Sequence, residues 1–260
     1  MPTTADEFVK RRPGAPGAAL AVEAAGLRWL AAAGGVRVCA VRDVRPDELV
    51  LERIAPVAPS AADAAEFGRA LAHTQAAGAP HHGAGPPGVE GDGWIAALPL
   101  PLTGAPQPWG PWFAEQRVEP FLRAARDAGA VDAAGARTVG AVCERLAAED
   151  EALVVGGAAP ARLHGDLWSG NVVWSGAGAV LVDCAAHGGH RETDLAMLAL
   201  FGLPHLDVVL DAYDEAAGTP AGRADRVPLH QLDPLLVHAV LFGGAYGAQA
   251  VDAARRSLAL

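Results

Sequence analysis

Residues 161–185, ARLHGDLWSGNVVWSGAGAVLVDCA, constrain the fold more than any other stretch of this chain. Two short β-like runs, NVVW and AVLVD, flank a Ser/Gly connection of hairpin type, while the sequence on either side reads as helical. A hairpin brings its two ends together. One end carries Asp166 and Asn171, with four residues between them, and the other returns at Asp183. Two carboxylates and an amide oxygen are hard donors, a set that suits a magnesium ion that keeps several waters and binds phosphates. Asp, Asn, Ser and Gly also dominate ordinary turns, and that alone would explain the Asp-x4-Asn spacing. The whole segment carries more. An Asp that accepts a hydroxyl proton, an Asn after four intervening residues and a later metal-holding Asp make up the arrangement of phosphoryl-transfer sites. The His-Gly-Asp form at 164–166 points to small-molecule acceptors rather than proteins with a kinase-type His-Arg-Asp loop.

Upstream, EFVKR (7–11) predicts a strand, and RRPGAPG a break after it. Residues 18–33 predict a helix with Val22, Leu27, Trp29 and Leu30 as apolar positions, stopped by Gly34 and Gly35. VRVCAVRDV (36–44) and ELVLERI (48–54) read as two strands, APVAPS (55–60) as a linker and 61–77 as a helix. The Gly/Pro-rich span 78–111 reads as a long loop. WFAEQRVEPFLRAARDAG (112–129), ARTVGAVCERLAAED (136–150), ETDLAMLALFG and the segment from LDPLLVHAV to the C-terminus read as helices. The expected architecture is α+β and two-lobed. A strand-rich lobe, residues 1–57, precedes a mainly helical lobe, residues 58–260, that frames the hairpin, with a ligand cleft between them.

Composition excludes several function classes. With 260 residues and 51% hydrophobic content the chain can pack a sizeable core. No apolar stretch is long enough to span a membrane, and the first residues lack a signal-peptide core, so the expected location is the cytoplasm. Cys39, Cys143 and Cys184 show no CxxC spacing, which fits a reducing compartment and argues against a zinc site built on cysteine. A formal charge of −10 argues against nucleic acid as a partner. A small anion such as ATP can still bind through magnesium, backbone N–H groups and a local lysine. The chain has one lysine, Lys10. His81 and His82 lie in a Gly/Pro context and are expected to be solvated.

LHGDLWSGN (163–171), VDCAAHGGHRETDLAMLALFG (182–202) and HQLDPLLVHAVLFGGAYGAQA (230–250), with a weaker match in GWIAALPLP…WGPWFAEQRVEP (93–120), resemble the fructosamine-3-kinase, or ketosamine kinase, family. The resemblance implies an aminoglycoside-phosphotransferase-like, protein-kinase-like fold. It also implies transfer of the ATP γ-phosphate to the 3-hydroxyl of ribulosamine, erythrulosamine or fructosamine adducts in deglycation, with ATP and magnesium as cofactors. By the same resemblance Asp166 is the catalytic base, Asn171 and Asp183 hold magnesium, and Trp168, His187 and Arg191 lie toward the sugar. Trp168 is equally explained as core packing. His164 and Asp194 are implied to brace the loop. Lys10 at a strand end and Glu23 thirteen residues on resemble the family's phosphate-binding lysine and its helix partner, and Glu52 and Ile54 the backbone that meets adenine. A monomer or weak homodimer is expected.

The chain departs from the family at 184–188, where Cys184, His187 and Gly188 replace a proline and aromatic residues, which leaves the sugar preference open. Only nine residues precede Lys10, so the strands and Gly-containing loop that cover the phosphates in this fold are expected to be missing from the small lobe. The alternatives to an active ketosamine kinase are therefore a phosphotransferase on an aminoglycoside or another small alcohol, and an inactive pseudokinase.

Overall fold

The computed structural model of the chain describes residues 6–12, 18–102, 105–155 and 159–260. Strand β1 (Glu7–Arg11) pairs antiparallel with β4 (Glu48–Glu52), which pairs in turn with β3 (Val41–Val44). Against this sheet lies α1 (Ala19–Ala31), whose Leu20, Ala24, Leu27 and Leu30 are buried. The short β2 (Arg37–Val38) leaves that sheet. It runs parallel to β9 (Gly178–Leu181) and so ties the first sixty residues to the hairpin formed by β8 (Val172–Ser175) and β9. The sequence predicts one strand over 36–44; the structure divides it at Cys39–Ala40, because the chain changes partner there, Cys39 donating to the carbonyl of Leu181.

Helix α2 (Ala61–Ala76) starts on a reciprocal cap in which Ser60 and Asp63 exchange side-chain and backbone bonds. It packs along α7 (Leu206–Ala217). The span 78–111 is not wholly a loop: β5 (Gly93–Ile95) and β6 (Leu98–Leu100) form a hairpin around Ala96, which takes a φ of 51°. Two alanines at the turn carry no Gly-type hairpin signal, which is why composition hides it. Helix α3 (Trp109–Phe113) passes through a π-turn at Ala114–Val118 into α4 (Glu119–Asp127), so the helix expected from 112 begins three residues earlier and is interrupted. Helix α5 (Ala133–Ala147) is capped by Asp132. The strands β7 (Ala161–Leu163) and β10 (His187–Gly189) pair antiparallel and enclose the site loop. Helices α6 (Glu192–Phe201), α8 (Arg223–His230), α9 (Leu232–Phe242) and α10 (Tyr246–Leu258) complete the chain.

Two apolar cores organise these elements. One joins α1, the N-terminal strands, α2, the β8–β9 hairpin, α6 and α7 through Leu27, Leu51, Phe67, Trp174 and Leu198. The other holds α3 to α5 against α9 and α10 through Trp112, Leu146 and Leu236. His82, expected in solvent, is buried and stacked on Trp112 with ring centroids 5.7 Å apart, and His81 is half-buried. Their Gly/Pro neighbours fold them inward beneath β10, where Gly83 N–H bonds to the carbonyl of Gly188. Among the described residues no helix is long and apolar enough to cross a membrane.

The α2–α7 contact is close enough to be tested at one atom. A Cβ on Gly68 would lie 2.2 Å from the carbonyl oxygen of Val209. Gly68→Ala is expected to lower stability by roughly 1–3 kcal/mol despite its better helix propensity, because the two helices must separate. Denaturant unfolding measures it, and a stabilised variant would refute the close packing.

Candidate active site

The site loop begins where β7 ends. Gly165 takes a φ of +79°, and a Cβ there would meet the carbonyl oxygen of Ala185 at 2.1 Å, so only glycine fits. Asp194, in the first turn of α6 and 1% exposed, accepts from the backbone N–H of His164 at 2.9 Å and of Gly165 at 3.0 Å. Gln75 donates to the same carboxylate at 3.0 Å and accepts from the Tyr213 hydroxyl, so α2 and α7 together support the loop. His164 turns Nε2 to the carbonyl of Val182 at 2.9 Å and its Nδ1 accepts from the Asp166 N–H at 3.3 Å, which requires the neutral ring. Burial lowers the pKa of this histidine, in keeping with that tautomer.

Asp166 and Asn171 meet as the hairpin requires. The Asn171 amide nitrogen donates to the Asp166 carbonyl at 2.7 Å, to its carboxylate at 3.0 Å and to the Asp183 carbonyl at 3.2 Å. Its amide oxygen is the end left for a ligand. Burial, aided by the negative charge of Asp183, raises the Asp166 carboxyl to about 7. Asp183 follows β9 in the left-handed region, with φ 53°, a conformation that Asp tolerates better than most residues. Its carboxylate pairs with Lys10 and lies 3.1 Å from Arg12 Nη2. Lys10 Nζ also donates to both oxygens of Glu23 at 2.8 Å. Burial raises the Glu23 pKa against the pull of Lys10.

Lys10, Glu23, Asn171 and Asp183 line a cleft of about 290 Å3 that runs to Leu51 and Ile54. Glu52 lines it as well, but its N–H is spent on the Ala40 carbonyl and its side chain on Arg37 and the Ala40 N–H. A backbone contact to a bound base would have to come from the Glu52 carbonyl or from Ile54. The donor set fits a magnesium ion: a carboxylate at Asp183, the amide oxygen of Asn171 and Asp166 beside them are all hard oxygens. The position of Lys10 and Arg12 on Asp183 shows that positive charge is already favoured at this carboxylate.

A second, smaller cavity adjoins Asp166, between it and Ile95, Leu100, Met197, Asp233 and Val237. Trp168 lies outside the core, 40% exposed and edge-on to Phe201 with centroids 6.1 Å apart. Gly170 makes room for its ring, since a Cβ there would sit 2.4 Å from the indole. His187 is not brought to the cleft. It is buried behind the loop, its Nδ1 on the Ala185 carbonyl and its pKa lowered to about 3 by burial. Arg191 precedes α6, where its carbonyl accepts from Gln75, and lines neither cavity. Arg12, Gln75, Tyr213 and Asp233 escape sequence reasoning. Arg12 had a signal, its place two residues beyond Lys10 in the same basic run; Asp233 lies inside the family-like segment 230–250, which implied no role for it, and Gln75 and Tyr213 stand in unremarkable helical text.

Comparison with known proteins places this geometry among relatives. A "probable ketoamine kinase" of Klebsiella aerogenes is 33% identical over 200 residues, which cover 76% of this chain and 65% of that protein. The chain spans between about half and two thirds of the length of this and the Escherichia coli relative it matches. The crystal structure of a "putative fructosamine-3-kinase" from Thermobifida fusca superposes with a TM-score of 0.89 at 44% identity, covering 98% of this chain and 86% of that one. A choline/ethanolamine kinase family protein of Mesorhizobium loti, 15% identical, shares the fold alone, with a TM-score of 0.57 over 98% of this chain and 83% of that one. The architecture is thus protein-kinase-like, as the sequence led us to expect. The fructosamine kinase family model matches residues 3–259, nearly the whole length, and the chain belongs to that family.

Proposed function

We propose that this chain is an ATP-dependent kinase that phosphorylates the 3-hydroxyl of ketosamines, ribulosamine, erythrulosamine or fructosamine adducts, and serves deglycation in the cytoplasm. One observation carries the reading. Asn171 ties Asp166 to Asp183, and Asn171 and Asp183 line the same cleft as Lys10 and Glu23, with Lys10 bridging the carboxylates of Glu23 and Asp183. A base, an oxygen donor set and a fixed cation in one place are what phosphoryl transfer requires.

In this reading residues 1–57 cover the nucleotide and residues 58–260 carry the acceptor and the chemistry. Lys10, oriented by Glu23, contacts the phosphates, and Ile54 with the carbonyl of Glu52 meets the adenine. Asn171 and Asp183 hold magnesium, which when bound neutralises developing phosphate charge. Asp166 orients the sugar hydroxyl and accepts its proton. Its raised pKa, about 7, gives it basicity near that of the working solution. Trp168 offers an exposed aromatic face beside the base, on which a sugar or its amine substituent can rest. His187 acts at one remove, as packing behind the loop, and Arg191 by bracing the start of α6.

Transfer of phosphate from ATP to a ribulosamine–lysine adduct, with and without magnesium, tests the reading. Asp166→Asn is expected to lower kcat by about 100-fold or more while the variant stays folded. If the wild-type protein transfers no phosphate to any ketosamine, the proposal fails.

The same substitution makes a second prediction without nucleotide or magnesium. Burial raises the folded-state pKa of Asp166 from 3.8 to about 7, so ionisation opposes folding. That cost is absent below the unfolded value near pH 4, grows as pH rises and is complete above about 7. The melting temperature of Asp166→Asn should therefore match that of wild type at pH 4 and exceed it at pH 8. An equal difference at both pH values would show that Asp166 ionises freely in the folded chain.

A further inference from the structure

Among the residues that line the cavity beside Asp166, one buried polar atom has no hydrogen-bond partner. Asp194 is spent on the loop N–H groups and Gln75, Thr193 Oγ1 is bonded to His230 Nδ1 at 3.1 Å, and His238 Nδ1 to the Pro234 carbonyl at 2.7 Å. Asp233 remains. Its Oδ1 is shut off from solvent and accepts no hydrogen bond. The residue sits in the first turn of α9, where a carboxylate is favoured by the helix dipole, yet a cap would spend its oxygens on backbone N–H groups and this oxygen meets none. The charge that acts on it is that of Arg117, itself buried, with Nε and Nη2 lacking partners. The two do not reach ion-pair distance. Burial outweighs that distant cation and lifts the Asp233 carboxyl to about 6.

A sealed carboxylate oxygen with no donor costs stability, and Ile95, Leu100, Met197 and Val237 around it would be served better by an apolar side chain. A ligand that brings a donor would remove the cost. From these observations we infer that Asp233 is the specificity residue of the acceptor cavity, binding the protonated amine of the acceptor while Asp166 takes its hydroxyl. The inference rests on the ketosamine reading above. In a ketosamine three carbons separate the 3-hydroxyl oxygen from the amine nitrogen, so one small molecule carries a hydroxyl for one carboxylate and a charged amine for the other. A neutral sugar presents only the hydroxyl. The second carboxylate thus selects for the glycation adduct over the free ketose.

Two acceptors that differ in one atom test this: a 1-alkylamino-1-deoxyribulose and the 1-O-alkyl ribulose with the same alkyl group. Wild type is expected to prefer the amine in kcat/KM. In Asp233→Asn that preference should fall about tenfold or more, through a higher KM for the amine, the scale of one charge-assisted bond. Asp233→Glu, which keeps the charge, should restore part of it, and Asp233→Ala serves if the Asn variant does not fold. A preference within twofold of wild type in the folded variants overturns the inference and leaves the kinase intact. So does an equal loss with both acceptors, which would mean that Asp233 reads a hydroxyl or holds the fold. Wild type inactive with both acceptors overturns the proposed function, and this inference with it.

Discussion

The carboxylate of Asp194 is the contact on which the site's geometry depends. It satisfies two consecutive backbone N–H groups, His164 and Gly165, that no strand ladder could reach at that bend. Gly165 can bend there only because it lacks a Cβ, and beyond the bend Asp166 lines the smaller cavity that it shares with Asp233. A buried carboxylate bonded in this way costs the chain its desolvation, and burial raises the Asp194 pKa in spite of His164 and the N–H donors. The loop offsets that cost because its own N–H groups would otherwise be buried without partners, at about 1–3 kcal/mol each. The support reaches further back: Gln75 on α2 and Tyr213 on α7 orient the carboxylate. The close approach at Gly68 is what lets those two helices share the task.

Charge balance explains the other half of the site. Glu23, Asp166 and Asp183 place three carboxyl groups around one small cavity with Arg12 on its wall, and Lys10 pairs with Glu23 and Asp183. Burial raises both Glu23 and Asp166, and the negative charge of Asp183 adds to it; Lys10 grips Glu23 with two bonds and makes none to Asp166, whose carboxyl is lifted to about 7. The ordering also fixes which carboxylate exchanges its partner most readily. Glu23 is 5% exposed and holds Lys10 with both oxygens, while the Asp183 side chain is 42% exposed and keeps access to solvent and ligand.

Much of this was legible because it is local or written in residue type. The β8–β9 hairpin follows from SGAG between two apolar runs, and with it the meeting of Asp166, Asn171 and Asp183. The pairing of Lys10 with Glu23 was implied by the family resemblance, which sets a lysine on a strand against a glutamate on the next helix. What was not legible is long-range and carried by ordinary residues. Nothing in VRVCAVRDV says that Val38 pairs with the hairpin and Val41 with β4, since partner choice is settled by packing between distant segments. His82 and His187 share the cause: the same polar residue type serves solvent, ligand or core, and only the aromatic wall of Trp112 decides for core. Gln75 and Tyr213, 138 residues apart, leave no pattern at all.

Helix α6 turns these separate contacts into one device. From its first turn Asp194 holds the loop that starts at His164, while Glu192, two residues earlier, is gripped by both ends of the Arg226 guanidinium from α8, with Nε 3.0 Å from Oε2. Both partners of that ion pair are about 5% exposed or less, and His190 and His230 beside it stack on Trp109 and on each other as neutral rings, their pKa values lowered by burial. Breaking such a pair leaves an uncompensated buried charge, so α6 and α8 move together or not at all. Gln231, at the junction of α8 and α9, then donates to the Ala196 carbonyl of α6 at 3.0 Å. That bond sets where α9 begins, and therefore where Asp233 stands. The two carboxylates that face the acceptor cavity, one on a loop and one on a helix 67 positions along the chain from 166 to 233, are thus referenced to the same rigid element. A shared reference of that kind holds their separation fixed, as it must be if the cavity is to measure the distance between a hydroxyl and an amine.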